Sequence, residues 1–356
     1  MKPPITRSAA LLGVCCWLLT SITWSAVLRD YALSDDAPLA ADTTQSLSDN
    51  QDVADFTAGT CPVQCCCYRW QAWADALFMT RDIGGGQSLA FGDPGDPKGS
   101  EVFNSDEMDF DFAWGPSIGL FRCLSPYTSV GVEFYALDGW STEDQVDGDV
   151  SVQFPSFPFL PDGGYGLATF RYESQLYNTE INLRHRVART DWLTLLAGFR
   201  WIELGEEFGT TFETGGTTPN FLIDVNNHLY GFQLGALANL KSRGPWSLDG
   251  WIKAGIYGNS ASQETTEDFT SVGGEMTYIS ARDTNVAFAG DIGITLQRQI
   301  TQRLSARVGY MALWVEGVAL APEQLDNSDP SSGTATLDHS DGVLYHGGFA
   351  GLEYKW

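Results

Sequence analysis

The chain has 356 residues, of which 18% are charged and 13% are aromatic. Its formal net charge of −25 argues against nucleic acid as a partner, because phosphate binding needs clustered lysine and arginine. Beyond the N-terminus there is no run of about eighteen apolar residues, which excludes an ordinary transmembrane helix. Moderate hydrophobicity with many aromatics and 38 glycines is typical of a transmembrane β-barrel, although a soluble β-sandwich or propeller would also fit.

The N-terminal residues 1–25 have the pattern of a signal peptide. Lys2 and Arg7 give the positive start, and the apolar run Ala9–Leu19 is too short to span a bilayer. Small residues favour cleavage after Ser25, and an uncleaved anchor is the alternative. Residues 26–69 are polar, acidic and unpatterned, which predicts a disordered leader with a cysteine-rich end.

The leader ends in a group of cysteines whose partners the sequence leaves partly open. Past an export signal the compartment is oxidising, so disulfides are the default. Cys123 falls at the end of the second predicted strand and Cys67 just before the first. Neighbouring strands are about 4.8 Å apart, within the roughly 4.4–6.8 Å between Cα atoms that a disulfide needs. We predict a bridge from Cys123 to one of Cys65, Cys66 and Cys67, with Cys67 the favoured partner. A buried or lipid-facing free thiol at Cys123 is the alternative, and Cys61, Cys65 and Cys66 have no other assigned role.

From Trp70 onward, apolar side chains recur with a period of two. Phe288, Ile292 and Leu296 lie on one face of a strand, whereas Asp291 and Gln297 lie on the other. A helix would spread these polar residues around its axis. Ten segments share the pattern, each longer than the about nine to eleven residues that a tilted strand needs to cross a membrane. They are residues 70–81, 108–122, 128–140, 167–187, 192–210, 224–241, 247–262, 276–299, 304–318 and 343–356.

The connections between these strands alternate between short and long. The short ones are 123–127, 188–191, 242–246 and 300–303, and the long ones are 82–107, 141–166, 211–223, 263–275 and 319–342. Outer-membrane barrels have short periplasmic turns, long outer loops and an even strand number. An open sheet is excluded because an unpaired edge cannot face lipid. We therefore predict an all-β fold: a single antiparallel up-and-down transmembrane barrel, residues 70–356, of about ten to twelve strands.

Charge follows the same division. The long loops are rich in aspartate and glutamate and hold one basic residue, Lys98, whereas arginines gather near the short turns. This pattern predicts an acidic outer mouth and a basic inner rim. The alternative is that acidic loops only keep an exposed surface soluble.

Charged residues also fall on the polar, inward face of the strands. They are Asp75, Glu133, Glu180, Arg184, Arg200, Asp249, Lys253, Asp291, Arg307, Glu353 and Lys355. One interpretation is a narrow polar channel. The other is a paired network that fills the lumen, since about eight strands leave room only for side chains.

The sequence gives little support for catalysis or metal binding. His339 lies beside Asp338 and near Asp341, an arrangement that a rim enzyme could use, but an acidic loop with one histidine is usually just solvated. No histidine lies near the cysteine run. We predict neither an enzyme nor a metal or other cofactor.

The final strand ends on an aromatic residue, with Leu352, Tyr354 and Trp356 in phase. It resembles the C-terminal signal that the barrel-assembly machinery recognises, so we expect Trp356→Asp to leave unassembled protein in the periplasm. A more specific resemblance is carried by residues 73–79, 180–184, 196–204, 249–259, 287–295, 304–325 and 346–356. Through these segments residues 70–356, without the outer loops, resemble the beta-barrel porin-7 family of planctomycete-type bacteria.

The resemblance implies a porin of the bacterial outer membrane, surrounded by its lipid. We predict a porin-like channel for passive diffusion of small hydrophilic solutes, with cations favoured, as a monomer or an oligomer. The alternative is a closed structural or surface-binding barrel whose acidic outer loops bind a partner or Ca²⁺ without conductance.

Overall fold

Long β-strands make up most of the protein. The computed structural model describes residues 68–82, 84–92, 101–152, 165–188, 190, 192–213, 216–330 and 332–356. The strands are β1 (Trp70–Arg81), β2 (Ser88–Gly92), β3 (Glu101–Asn104), β4 (Ala113–Cys123), β5 (Thr128–Val152), β6 (Tyr165–Arg186), β7 (Leu193–Glu213), β8 (Asn220–Arg243), β9 (Trp246–Asp268), β10 (Met276–Gln299), β11 (Leu304–Val318), β12 (Ser328–Asp329), β13 (Thr334–Ala335) and β14 (Asp341–Lys355). Short 3-10 turns lie at Ser105–Glu107, Thr270–Val272 and Pro322–Leu325. Within these ranges, no helix is long and apolar enough to cross a membrane.

Ten of these strands close into a ring. They are β1, β4 to β11 and β14, and each pairs in antiparallel fashion with the barrel strands before and after it. The ring closes because β1 pairs with both β4 and β14. At the seam, the Trp70 N–H donates to the Trp356 carbonyl at 2.9 Å, and the Trp356 N–H donates to the Trp70 carbonyl at 3.0 Å. The predicted closed antiparallel barrel is confirmed.

The six strands β5 to β10 are much longer than the rest of the wall. They have 21 to 25 residues, whereas β1, β4, β11 and β14 have 11 to 15. Because a tilted strand needs only about nine to eleven residues to cross hydrocarbon, these six continue well beyond the membrane. We call the portion of β5 to β10 that lies beyond the membrane the outer extension.

The predicted long loops 141–166, 211–223 and 263–275 are therefore wrong in part. β5 continues to Val152, β8 begins at Asn220 and β9 continues to Asp268. The alternation is still present there, but its polar residues face outward and its apolar residues face inward. A sequence pattern that requires apolar residues on the lipid-facing side ends each strand too early, at the point where the apolar residues begin to face inward.

Two small hairpins complete the outer end. β2 pairs with β3 and also with the tip of β5, from Gly92 opposite Val150 to Ala90 opposite Val152. β12 and β13 pair only with each other, within the last long loop. The predicted signal peptide and residues 26–67 of the predicted leader, Cys67 included, lie outside the described residues.

Candidate functional site: the lumen of the barrel

Four charged side chains meet at the middle of the lumen. Arg200 Nη1 lies 2.6 Å from Asp291 Oδ2, and Lys253 Nζ lies 2.9 Å from Glu180 Oε2. The cross pairs Arg200–Glu180 and Lys253–Asp291 are 3.6 and 3.7 Å apart. The four residues come from β6, β7, β9 and β10, so contacts between non-adjacent strands cross the lumen. We call these residues the central cluster; all four were candidate pore-lining residues.

Amide and aromatic groups satisfy the remaining hydrogen bonds of the central cluster. Arg200 donates to Asn178 Oδ1 at 2.6 Å and to the Tyr135 hydroxyl at 3.0 Å. Asn182 and Gln233 donate to Glu180 at 2.8 and 2.7 Å. The sequence analysis missed these neutral partners, although each lies at an inward position of its strand.

A second layer of charge lies nearer the short turns. Arg184 pairs with Glu133 at 2.7 Å, and Arg307 Nε lies 3.3 Å from Asp75 Oδ1. The two guanidinium groups lie over the Trp73 ring, 5.4 and 5.2 Å from its centroid. Cations over aromatic faces are held more strongly where water is excluded. This layer therefore consists of two ion pairs whose cations pack on one aromatic ring inside the lumen.

The last three candidates lie at the same end of the barrel. Lys355 Nζ is 2.8 Å from Glu353 Oε1, which is a buried carboxylate. Asp249 is half-buried and accepts hydrogen bonds from Asn239 at 2.7 Å and Ser247 at 3.1 Å. All eleven candidate residues thus take part in lumen contacts, while their role in conduction stays a prediction.

A third charged layer, missed by the sequence analysis, lies on the outer side of the central cluster. Arg81 and Glu206 form an ion pair with fully buried side chains. The Tyr172 hydroxyl donates to Glu206 at 2.6 Å. The Arg81 guanidinium also packs against the rings of Phe110 and Tyr172, 5.0 and 5.2 Å from their centroids. Both Arg81 and Glu206 occupy inward positions of their strands, and this alternation is the feature of the sequence that could have identified them.

The polarity of the wall reverses between the membrane and the outer extension. Along β7, Phe199 points outward and is 40% exposed, while its neighbour Arg200 is buried in the lumen. Further along the strand, Phe208 is fully buried and Glu207 points outward. The membrane-spanning part therefore has an apolar exterior and a polar lumen. The outer extension has a polar exterior and an apolar core, as a soluble barrel does.

The acidic residues of the outer extension lie largely on its outside. Glu173, Glu207, Asp224 and Glu264 are directly opposite one another on the neighbouring strands β6 to β9. They form a row on the outside of four of the ten barrel strands and do not project into the lumen. Of these four residues, only Glu264 lies in a segment predicted as a long loop, and the other three lie in predicted strands.

The last long loop enters the apolar core of the outer extension. Residues 319–328, which we call the plug, include Ala319, Leu320 and Leu325, each at most 2% exposed. Asn227 holds the plug by donating to the Ala319 carbonyl at 2.8 Å and accepting from the Ala319 N–H at 2.9 Å. The Ala321 N–H donates to Glu206 Oε2 at 2.9 Å. Glu206 therefore connects the plug to Arg81 and Tyr172 in the third charged layer.

One carboxyl group of the plug lies in an unfavourable place for a charge. Burial, and then the nearby carboxylates of Asp341, Asp338 and Asp326, raise the pKa of Glu323 to about 7. Its buried Oε1 atom has no hydrogen-bond partner. In the same loop, a hydrogen bond from Ser340 lowers the pKa of Asp338. The plug thus contains a group that titrates near neutral pH.

The remaining sequence candidates lie at the short-turn end. Trp356 stacks on Trp70 with ring centroids 6.3 Å apart and on Tyr354 at 5.7 Å. Leu352 is 51% exposed on the same outward face. Recognition of these residues by the assembly machinery stays a prediction. Cys123 is half-buried at the end of β4, and the proposed bridge to Cys67 cannot be followed because Cys67 lies outside the described residues.

The aspartate within ion-pair distance of His339 is Asp283, rather than Asp338 or Asp341, which are near it in the sequence. Its Nε2 atom lies 3.5 Å from Asp283 Oδ2 at the outer end of β10. In the described part of the chain, no group of three or more histidine, cysteine or acidic residues is arranged to hold a metal ion.

A closed ring of ten antiparallel strands with an apolar outer belt defines a β-barrel of the bacterial outer membrane. The family described as Putative beta barrel porin-7 matches residues 141–340. Because that match spans more than half of the chain, the protein belongs to this porin-like family. No curated protein sequence matches this chain.

The chain is similar to several solved outer-membrane barrels. The outer membrane protease OmpT from Escherichia coli is 13% identical, with a TM-score of 0.45, over 81% of this chain and 97% of the protease. A Pseudomonas aeruginosa FadL homologue is 12% identical, with a TM-score of 0.32, over 81% of this chain and 90% of its own. The translocator domain of the autotransporter NalP from Neisseria meningitidis is 10% identical, with a TM-score of 0.37, over 81% and 88%.

The likeness to OmpT corrects one expectation. The prediction that this chain is not an enzyme is contradicted, because a protease is among the proteins that share its fold. An outer-membrane barrel with charged residues at its rim is compatible with either role, so the fold cannot exclude catalysis. At this low similarity the comparison shows the fold alone.

Proposed function

We propose that this protein is an outer-membrane channel for passive diffusion of small hydrophilic solutes that is closed at rest by its plug. The observation that carries the proposal is the composition of the membrane-spanning lumen, where buried charges and amides contact one another from strand to strand. Well-packed apolar residues can replace buried ion pairs with no loss of stability. A polar lumen therefore suits a path for hydrophilic solutes better than a purely structural interior.

The closed state follows from the outer extension. The apolar core and the plug lie across the path between the central cluster and the outside. No barrel strand has to break when the plug leaves, because it belongs to a loop and is held by side chains such as Asn227 and Glu206. Displacement of the plug would open the outer part of the path without unfolding the wall.

A preference for cations is supported by the acidic exterior of the outer end. A mouth surrounded by one sign of charge concentrates ions of the opposite sign. Such charge is supplied at the outer end by the row of Glu173, Glu207, Asp224 and Glu264. At 0.1 M salt the electrostatic field of these carboxylates extends about 10 Å into the solution. The central cluster itself contains two cations and two anions, so the preference would arise at the mouth.

Planar-bilayer conductance tests this function. We expect small or rare openings from the wild type and frequent openings from the variant Leu320→Asp/Leu325→Asp, because charge cannot remain in an apolar core. Thr334→Asp, an exposed position in the same loop, should behave as the wild type does. Open channels should pass K⁺ over Cl⁻ at low salt, and less so at 1 M, where the screening length is about 3 Å.

Two results would contradict the proposal separately. Anion preference at low salt would remove the cation preference alone. Absence of conductance in a folded, plug-displaced variant would favour the second candidate, a closed barrel that presents its acidic outer extension to a binding partner. The filled lumen is the observation that supports this second candidate.

A further inference from the structure

The short-turn end of the barrel has a basic, aromatic surface that the proposed channel does not use. Its described, exposed cations are Arg69, Arg122, Lys241, Arg243, Arg298 and Arg303. In the sequence of the four short turns the only acidic residue is Asp191, in the β6–β7 turn beside Arg189. This end faces the periplasm in outer-membrane barrels, so the surface lies at the inner leaflet.

The best-defined part of this surface consists of Trp246 and the two arginines opposite it, Arg243 and Arg298. The tight turn Gly244-Pro245, with Gly244 at φ +57°, places Arg243 directly opposite Trp246. On the other side, Arg298 of β10 is directly opposite the same residue. The Arg298 guanidinium lies over the indole, 5.3 Å from its centroid.

The turn itself is fixed in position. The Gln299 N–H donates to the Pro245 carbonyl at 2.8 Å, which ties the β8–β9 turn to β10. Trp246 is 44% exposed, and both arginines are exposed. Neither arginine forms an ion pair with a carboxylate among the described residues. Two cations thus flank one indole, on strands roughly 10 Å apart, with no anion to neutralise them.

We propose that Arg243, Trp246 and Arg298 bind the phosphate headgroup of an anionic phospholipid in the inner leaflet. Guanidinium groups match phosphate oxygens with paired hydrogen bonds. Tryptophan at the headgroup level places its ring against the first acyl carbons and its N–H towards water. The exposed apolar residues Leu240 and Ile300, 56% exposed each, flank the same turns and would lie beside the acyl chains.

A second arrangement of the same kind occurs at the seam of the barrel. Arg122 lies over Trp70, 5.5 Å from its ring centroid, and Trp70 stacks on Trp356. An arginine beside an interfacial tryptophan therefore recurs on another part of this rim. The Trp246 site is the stronger candidate, because two arginines lie directly opposite one tryptophan there, one on each neighbouring strand.

Native mass spectrometry of the purified barrel in detergent tests the proposal. Dioleoyl phosphatidylglycerol is the probe, and dioleoyl phosphatidylcholine is the uncharged comparison. We expect the wild type to retain the anionic lipid preferentially. Arg243→Gln/Arg298→Gln should lower its relative binding roughly 30-fold, because each interfacial cation near an anionic lipid surface contributes about fivefold.

The matched control is Arg171→Gln/Arg282→Gln, which removes two exposed arginines from the outer extension. Arg282 lies on the same outward face of β10 as Arg298 but at the opposite end, so this control should retain the lipid as the wild type does. If the glutamine variant does not assemble, Arg243→Lys/Arg298→Lys keeps the charges without the paired donors and should show intermediate retention.

Three outcomes would overturn the proposal. One is equal retention of the two lipids by the wild type, and another is undiminished retention by the glutamine variant in a folded barrel. The third is displacement of the lipid by glycerol phosphate at an equal concentration, which would show recognition of free phosphate rather than of a lipid.

Discussion

The four buried charges of the central cluster are held by complete sets of partners. Arg200 is fully buried and contacts Asp291, Asn178 and Tyr135, while Glu180 receives Lys253 and two amides. A buried ion pair with every donor and acceptor satisfied is tolerated, but removal of one partner leaves an uncompensated charge. At the residue scale, the lumen is thus sensitive to single changes.

Arg200→Met should destabilise the barrel by about 3–5 kcal/mol, because Asp291 then loses its closest cation. Urea unfolding in lipid vesicles, followed by tryptophan fluorescence, measures the change. Arg282→Met, on the exposed face of the outer extension, should stay within about 0.5 kcal/mol of the wild type. Equal stabilities of the two variants would show that the central cluster is not the tight network described here.

The plug is the element whose position depends most on conditions. It is a loop segment with apolar side chains in the core and one carboxyl, Glu323, whose surroundings oppose ionisation. A carboxyl whose pKa is raised on folding disfavours the folded arrangement once it is ionised. The contribution of the plug is therefore complete below the ordinary pKa of 4.5 and declines as the pH rises through about 7.

Hydrogen exchange of residues 319–328 should accordingly be slower at pH 5.5 than at pH 8.5, after correction for the intrinsic pH dependence of exchange. Glu323→Gln, which cannot ionise, should give the same slow exchange at both values. Glu275→Gln, an exposed carboxyl in another outer loop, should keep the wild-type difference. A pH difference that persists in Glu323→Gln would assign the effect to another group.

At the scale of the whole barrel, the described residues form two stacked parts, the membrane-spanning part and the outer extension, whose apolar faces point in opposite directions. In the membrane the apolar face points outward, because lipid is the solvent. In the outer extension it points inward, because water is the solvent. The continuous strands β5 to β10 keep the same neighbouring strands across this boundary, although the β5–β6 pairing shifts register between Asp138 and Trp140 and again between Asp147 and Val150. The boundary on β10 lies between the exposed apolar Val286 and the exposed Thr284 and Arg282.

Two substitutions on the same face of β10 test this boundary. Ile292→Arg, in the middle of the apolar belt, should lower the stability in a bilayer by about 2–4 kcal/mol. Ser280→Arg, in the outer extension, should change it by less than about 0.5 kcal/mol. Folding titrations in vesicles measure both, and a large loss for Ser280→Arg would place that part of β10 in lipid.

The sequence by itself determined the barrel, its strand order and the inward face of each strand. Alternation decides which side chains share a face, and the absence of water in the bilayer forces the sheet to close. From these two facts followed the ten strands and the inward orientation of residues such as Arg200 and Asp291. Neither result depends on knowing which residues meet across the lumen.

Only the tertiary structure decided which inward residues pair, where the polarity reverses and where the last loop goes. Arg81 and Glu206 are 125 positions apart, on strands that are not neighbours, and the plug meets Asn227 from 92 positions away. Such contacts depend on the stagger of the closed sheet and on the space left inside it. Periodicity along one strand carries no information about either, because it describes each strand without its partners across the barrel.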